Sequence, residues 1–256
     1  MKVVILAGGL GTRLNEETKL IPKPMVQIGE KPILWHIMSI YSKFGFNDFI
    51  LLLGYKSEII KEYFANYLLK ENDFTINLNN GEIKFLNQSK KPWKITFLET
   101  GLSTNTGGRI LKAKDYLGDD DFMLTYGDGL ANVNIDDLNL FHNSHSGLIT
   151  MTSVQMQSRF GIIDFDKKNK IDSFKEKPEN SNSWINGGFF VCNSKVINYI
   201  ENDDIAFENE PLEKLALEGN LFGYRHTGFW KCMDTLRDKI ELNDLSKQDI
   251  PPWENF

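Results

Sequence analysis

The sequence predicts an α/β protein with a mainly parallel central sheet flanked by helices, and three observations carry that expectation. Short apolar runs of strand length recur at residues 2–6, 49–53, 95–98 and 122–126, and unbroken apolar runs suit strands buried on both faces. Segments with apolar residues at helical spacing lie between them, and alternating strands and helices imply parallel pairing through right-handed crossovers. The first run also ends in a glycine cluster, at the carboxyl end of a strand where open α/β sheets receive ligands.

Residues 2–24 carry the densest chemistry. The first strand is followed by Gly8, Gly9 and Gly11. These glycines let the backbone adopt positive φ and approach a bound group, with successive N–H groups able to wrap phosphate oxygens. Arg13 adds a guanidinium fork that matches phosphate, and Lys23 adds a compact charge whose backbone is restrained by Pro22 and Pro24. The plainer alternative is a glycine-rich turn with surface basic residues. Two familiar phosphate loops are excluded: Leu14 stands where a dinucleotide fingerprint needs its third glycine, and no Gly-Lys-Ser/Thr ending follows.

A chain of 256 residues with 41% hydrophobic content has enough apolar material for one α/β domain, and no linker divides it. Its net charge of −6 argues against a nucleic-acid partner, so affinity for phosphate must come from local basic residues. Cys192 and Cys232 form no CxxC pattern, which points to a reducing compartment without a disulfide frame or zinc site. No apolar run approaches the roughly 20 residues of a membrane span. Lys2 leads straight into a strand rather than a signal peptide, so the cytoplasm is expected.

Taken in order, residues 31–41 predict a helix with Pro32 in its first turn and a stop near Gly45. His36 falls on its apolar face and is assigned to the core. Residues 57–69 predict a second helix with Ser57 as N-cap. Asn79-Asn80-Gly81 between two alternating segments signals a hairpin on the sheet rim. The hydroxyl- and glycine-rich loop 99–109 either faces the same crevice as the first loop or is an ordinary helix start capped by Thr104 or Thr106. Strand 122–126 ends in Gly127-Asp128-Gly129. A carboxylate between glycines there either holds a metal over the crevice or sits in a tight turn. His142 and His145 share one face of a predicted helix, 135–145, and are assigned to solvent. The second half is richer in strands, at 148–154, 160–165, 171–174, 185–192 and 221–226, and is expected to continue the same sheet. Short helices at 194–200 and 211–218 and a last helix at 236–245, with Asp234 as N-cap, precede an Ile250-Pro251-Pro252-Trp253 tail.

The loop Gly8-Gly9-Leu10-Gly11-Thr12-Arg13-Leu14 followed by Pro22-Lys23-Pro24 resembles the signature of the sugar nucleotidyltransferases. With Tyr126-Gly127-Asp128-Gly129, Glu176-Lys177-Pro178, Asn186-Gly187-Gly188-Phe189-Phe190 and Met233-Asp234-Thr235-Leu236-Arg237-Asp238, the chain is similar to the glucose-1-phosphate cytidylyltransferase branch. Only 72–91 and 179–183 do not match that pattern, and neither carries a residue with an assigned role. The resemblance implies a Rossmann-like, mixed and mainly parallel sheet with a small strand-rich substrate lobe, the nucleotide-diphospho-sugar transferase type. It implies one domain over 1–256, with 1–146 mainly nucleotide-binding and 147–256 mainly sugar-phosphate-binding.

The activity implied is CTP plus α-D-glucose 1-phosphate giving CDP-glucose and pyrophosphate, an early step toward dideoxy sugars of bacterial surface polysaccharide. Leu6, Ala7, Gly8, Gly9, Leu10, Gly11, Thr12, Arg13, Lys23, Thr104, Gly108, Arg109, Gly127 and Asp128 are the implied nucleotide contacts, with Arg13 and Lys23 catalytic. Glu176, Lys177, Asn186 and Gly187 are the implied sugar-phosphate contacts, and Asp128 and Asp234 the implied Mg²⁺ ligands, a number of carboxylates that magnesium prefers. The resemblance also implies a homo-oligomer, a hexamer or a smaller assembly, with no nucleic-acid or membrane partner. Two rivals are a non-catalytic nucleotide-sugar sensor and an enzyme of this fold using another nucleoside triphosphate or acceptor.

Overall fold

The computed structural model describes residues 1–87, 91–155, 162–165, 170–175 and 183–256. β1 (Lys2–Leu6) leads through α1 (Asn15–Thr18) to the short pair β2 (Gln27–Ile28) and β3 (Lys31–Pro32), then to α2 (Ile33–Lys43) and β4 (Asp48–Leu53). After α3 (Ser57–Ala65) and α4 (Tyr67–Glu71) come the hairpin β5 (Phe74–Asn77) and β6 (Glu82–Phe85), and β7 (Lys94–Glu99). α5 (Thr106–Lys112) and α6 (Lys114–Leu117) precede β8 (Phe122–Tyr126), β9 (Gly129–Ala131) and α7 (Ile135–Asn143). The second half runs through β10 (Ile149–Gln155), β11 (Ile162–Phe165), β12 (Ile171–Lys175), β13 (Trp184–Cys192), α8 (Glu210–Leu217), β14 (Leu221–His226), β15 (Trp230–Cys232) and α9 (Leu236–Leu245).

Seven strands form one sheet in the order β14-β10-β13-β8-β1-β4-β7. β7, β4, β1 and β8 are parallel, as are β10 and β14, while β13 runs antiparallel to both β8 and β10. The mixed, mainly parallel sheet of the sequence reading is therefore observed, and β13 is the strand that joins the two halves. Both faces are covered. Val3 and Ile5 enter one apolar layer with Phe49, Leu51 and α2, whereas Val4 and Leu6 enter the other with Ile50, Leu52, Ile110 and Phe207. This two-sided burial is what the unbroken apolar runs encode.

Several local expectations are corrected. The helix expected over 57–69 breaks at Asn66, whose φ of −96° and ψ of 7° leave the α region, and Ser57 is its first residue while Lys56 at φ 51° stands at the cap. Thr235, rather than Asp234, caps α9, in a capping box with Asp238. α5 is capped neither by Thr104 nor by Thr106: Asn105 occupies that position without a side-chain cap bond. His142 is buried beside Thr150 Oγ1 at 2.9 Å, and His145 reaches the same hydroxyl at 2.8 Å and stacks on Phe222, so neither belongs to solvent. Their shared partner, Thr150, stands on β10, the next strand along the chain, and a reading confined to the helix face does not supply it. His36 is in the core as expected, its Nε2 2.9 Å from Ile28 O and its ring edge-on to buried Trp253. The Asn-Gly hairpin forms as read, with Asn77 paired to Glu82.

Candidate active site

The carboxyl ends of β1 and β8 open onto a cavity of about 420 Å³. Leu6, Ala7, Gly8, Gly9, Gly11, Thr12, Lys23, Thr104, Arg109, Gly127 and Asp128 line it, so the first loop, the β7–α5 loop and the end of β8 do face one crevice. Leu10 is exposed. The backbone of Arg13 lies in the turn Thr12–Leu14, and its side chain, like Glu176 and Lys177, lies outside the described residues. Asn186 and Gly187 sit on β13, where Asn186 Nδ2 donates to the Tyr126 hydroxyl at 3.1 Å and Gly187 O accepts from Trp230 Nε1 at 2.7 Å.

At the floor of the cavity Lys23 Nζ donates to Asp128 Oδ2 at 2.5 Å and Asp234 Oδ1 at 2.8 Å. Two short strands bring these carboxylates together. β9 pairs antiparallel with β15, placing Cys232 opposite Gly129, and Met233 N donates to Asp128 O at 2.9 Å. Asp238 then holds the segment from behind, its Oδ2 accepting from Asp234 N at 3.2 Å and from Thr235 N at 2.9 Å. Burial of Lys23 alone would lower its pKa, but the Asp128 charge and the hydrogen bonds to Asp128 and Asp234 outweigh it and hold the ammonium above its ordinary value. Lys23 is therefore charged at neutral pH. Cys232 brings a thiol close to the same carboxylates, its Sγ and one oxygen of each of Asp128 and Asp234 lying within 4.8 Å of one another. The sequence reading did not place Cys232 here, because it tested the two cysteines only for a pattern with each other, and Cys192 lies 40 positions away.

Arg109 has a different geometry from that of a free phosphate ligand. It is almost fully buried, and its guanidinium donates to Leu53 O at 3.0 Å, Thr100 Oγ1 at 2.5 Å, Gly101 O at 2.8 Å and Gly8 O at 3.1 Å. It ties the first loop to the ends of β4 and β7. Burial lowers its pKa from the usual guanidinium range. Gly8 is small for the sake of this strut: a Cβ there would stand 2.2 Å from Arg109 Nη1. Gly108 likewise serves packing, since a Cβ on it would meet Asp203 O at 2.4 Å. The segment around Asp203 covers the start of α5, with Asn105 N bound to Asp203 O and Gly107 N to Ile205 O, both at 3.0 Å. These carbonyls satisfy amides that a helix N-terminus otherwise offers to an anion. Thr104 Oγ1 donates to Thr100 O at 2.6 Å.

A cavity at the carboxyl ends of parallel strands, with a glycine loop on one wall and a lysine between two carboxylates on its floor, can hold a polyphosphate and orient its charge. The profile of the nucleotidyl transferase family matches residues 2–235. The chain belongs to that family. A glucose-1-phosphate cytidylyltransferase of Salmonella typhimurium is 48% identical over 257 residues, covering 100% of both chains. A Bacillus subtilis protein to which the same activity is ascribed is 50% identical over 254 residues, 99% of each chain. A crystal structure from Bacillus anthracis in complex with a sucrose superposes with a TM-score of 0.72 at 18% identity, covering 100% of this chain and 99% of that one, and so shares the fold. In this nucleotidyl transferase the shared fold sets the sheet, while Glu208, Thr106 and Tyr126 on the cavity wall are functional candidates that the sequence reading missed. Glu208 lies in a connection with no motif, and only folding brings it to the crevice.

Proposed function

We propose that the protein transfers the cytidylyl group of CTP to α-D-glucose 1-phosphate, giving CDP-glucose and pyrophosphate. The observation that carries this reading is the Lys23–Asp128–Asp234 cluster, of which Lys23 and Asp128 line the loop-walled cavity, in a chain whose full-length relatives at 48% and 50% identity carry the cytidylyltransferase description. A sugar 1-phosphate has a second pKa near about 6, so its oxygen is already a nucleophile at neutral pH and no general base is needed. That oxygen attacks the α-phosphorus in line. The new O–P bond forms as the bond to the β-phosphate oxygen breaks, and the electron pair leaves with pyrophosphate.

Lys23 presents a charged ammonium for the α-phosphate, and the loop amides of Gly8, Gly9 and Gly11 with Arg13 serve the departing phosphates. Asp128 and Asp234 would hold magnesium. Their fit is supported by two carboxylate oxygens that already converge on one cationic nitrogen, at 2.5 and 2.8 Å, and by the preference of magnesium for one or two carboxylates with substrate phosphates. When bound, the ion supplies neutralisation and alignment of the triphosphate oxygens. Thr104 contributes on the base side. Arg109 acts by fixing the loops that line the nucleotide site, and Glu176, Lys177, Asn186 and Gly187 take the sugar phosphate. Residues 1–146 mainly bind nucleotide and 147–256 mainly sugar phosphate, within one domain that works as a cytoplasmic homo-oligomer, a hexamer or a smaller assembly.

Base choice decides the proposal. Cytosine presents an amino donor where uracil and thymine present a carbonyl, and an unpaired buried polar group costs about 1–3 kcal/mol, enough for roughly a ten- to hundredfold preference. Pyrophosphate release is measured with glucose 1-phosphate, Mg²⁺ and CTP, UTP, dTTP, ATP or GTP in turn. Fastest release with CTP is expected. A preference for another triphosphate would overturn the substrate assignment, and binding without turnover would favour the sensor.

A further inference from the structure

We propose that Glu208 is a positioning residue for the acceptor substrate, acting through Tyr126 on the amide of Asn186. Its carboxylate accepts from the Tyr126 hydroxyl at 2.7 Å on one oxygen and from the Thr106 hydroxyl at 2.6 Å on the other. Thr106 Oγ1 in turn accepts from Phe207 N at 2.8 Å. Because an ionised carboxylate only accepts, the Tyr126 proton must point to Glu208, which leaves the phenol oxygen free to accept from Asn186 Nδ2 at 3.1 Å.

The other end of Asn186 is fixed as well. Its Oδ1 accepts from Gly188 N at 2.8 Å, inside a bulge where the register between β10 and β13 passes from Met151–Phe190 to Ser153–Asn186. Gly188 at φ 74° and Phe189 at φ 47° are both left-handed, a conformation that a bulky residue holds only when its surroundings impose it. Phe189 is held by its stacking on Tyr41 and by Thr152 Oγ1 donating to its carbonyl at 2.8 Å. With its oxygen on Gly188 and one amide hydrogen on Tyr126, Asn186 has one N–H left, in a fixed direction and without a partner among the described residues. Glu208, Thr106 and Tyr126 line the nucleotide cavity, and Asn186 stands on the strand that joins the two halves. The chain Asn186 to Tyr126 to Glu208 therefore links the nucleotide wall to the sugar side. Linked hydrogen bonds of this kind polarise and fix one another.

This inference rests on the reading of Asn186 as a sugar-phosphate contact. The unsubstituted protein is assayed first, and the variants are then read with whichever triphosphate and sugar phosphate react, so failure of the CTP assignment stays separate from failure of this inference. Tyr126→Phe and Glu208→Gln are expected to raise KM for the sugar phosphate about five- to tenfold, with KM for the triphosphate within about twofold and Tm near that of the parent. Tyr126→Phe added to Asn186→Ala should cost little more than Asn186→Ala alone, because the phenol acts only through the amide that Asn186→Ala removes. Calorimetric binding of glucose 1-phosphate to the same variants reads the effect without turnover. If Tyr126→Phe unfolds the protein, Glu208→Gln carries the test. An unchanged acceptor KM, an equal rise in both KM values, or additive losses in the double variant would overturn the proposal.

Discussion

Lys23 is the residue on which two kinds of chemistry meet. In the structure it pairs with both Asp128 and Asp234, and in the proposed reaction its charge faces an α-phosphate whose negative charge is redistributed in the transition state. Interactions made there raise kcat rather than lower KM. Lys23→Ala is expected to lower kcat by about 10²- to 10³-fold, the range for loss of one electrostatic donor, with a smaller change in KM for CTP. A loss confined to KM in steady-state assays would assign Lys23 to ground-state binding instead. Asp128→Asn and Asp234→Asn should each remove most turnover while leaving the circular-dichroism spectrum unchanged, because both side chains stand at a partly exposed loop and not in the core. Near-normal rates for either at limiting Mg²⁺ would sink the two-carboxylate arrangement. Asp128 was legible in the sequence because glycines flank it at the end of an apolar run. The companionship of Asp234 came only through the family likeness.

The element that most changes the reading of the site is the connection before α8, which packs its backbone onto the start of α5. Gly108 has no room for a methyl group beside Asp203 O, so Gly108→Ala should force the two segments apart. Overpacking of this sort costs about 1–3 kcal/mol, read as a lower urea midpoint at unchanged slope. A midpoint equal to that of the parent would show that the contact yields without cost. The same docking explains why Thr104 and Thr106 do not cap α5: Asp203 O and Ile205 O already satisfy its first amides. Sequence patterns near a helix start signal a cap from within the helix, and they are silent about a carbonyl supplied from 98 residues downstream. For α9 the cap was misplaced by one residue, since Asp234, Thr235 and Asp238 are all competent oxygens and only the backbone angles choose Thr235.

At the scale of the whole molecule, the histidines tie stability to pH. Burial holds His36, His142, His145 and His226 all below the ordinary histidine value of 6.5. Below about pH 6.5 the unfolded chain therefore binds protons more readily than the folded one, so stability is fullest above that pH and falls as the pH drops through the folded values. Tm is expected to decline between pH 6.5 and 5, and His142→Gln, which can keep a bond to Thr150, should show a shallower decline. Parallel Tm curves for the two proteins would remove His142 as a contributor.

The sequence by itself determined the sheet and the position of the first glycine loop. Strands buried on both faces must be continuously apolar, and a glycine cluster at the end of such a strand leaves few alternatives. It also determined the Asn-Gly hairpin, the core placement of His36 and the candidacy of Lys23 and Asp128, all signals contained within a few neighbouring residues. Tertiary structure alone decided what those residues touch. The β9–β15 pair joins Lys23 to a carboxylate 211 positions away, the Arg109 guanidinium is spent on backbone carbonyls of three loops, and Glu208 reaches the cavity from a connection without a motif. Local sequence sets which conformations a segment prefers. Which side chains share a cavity is set by the long-range pairing and packing of the sheet.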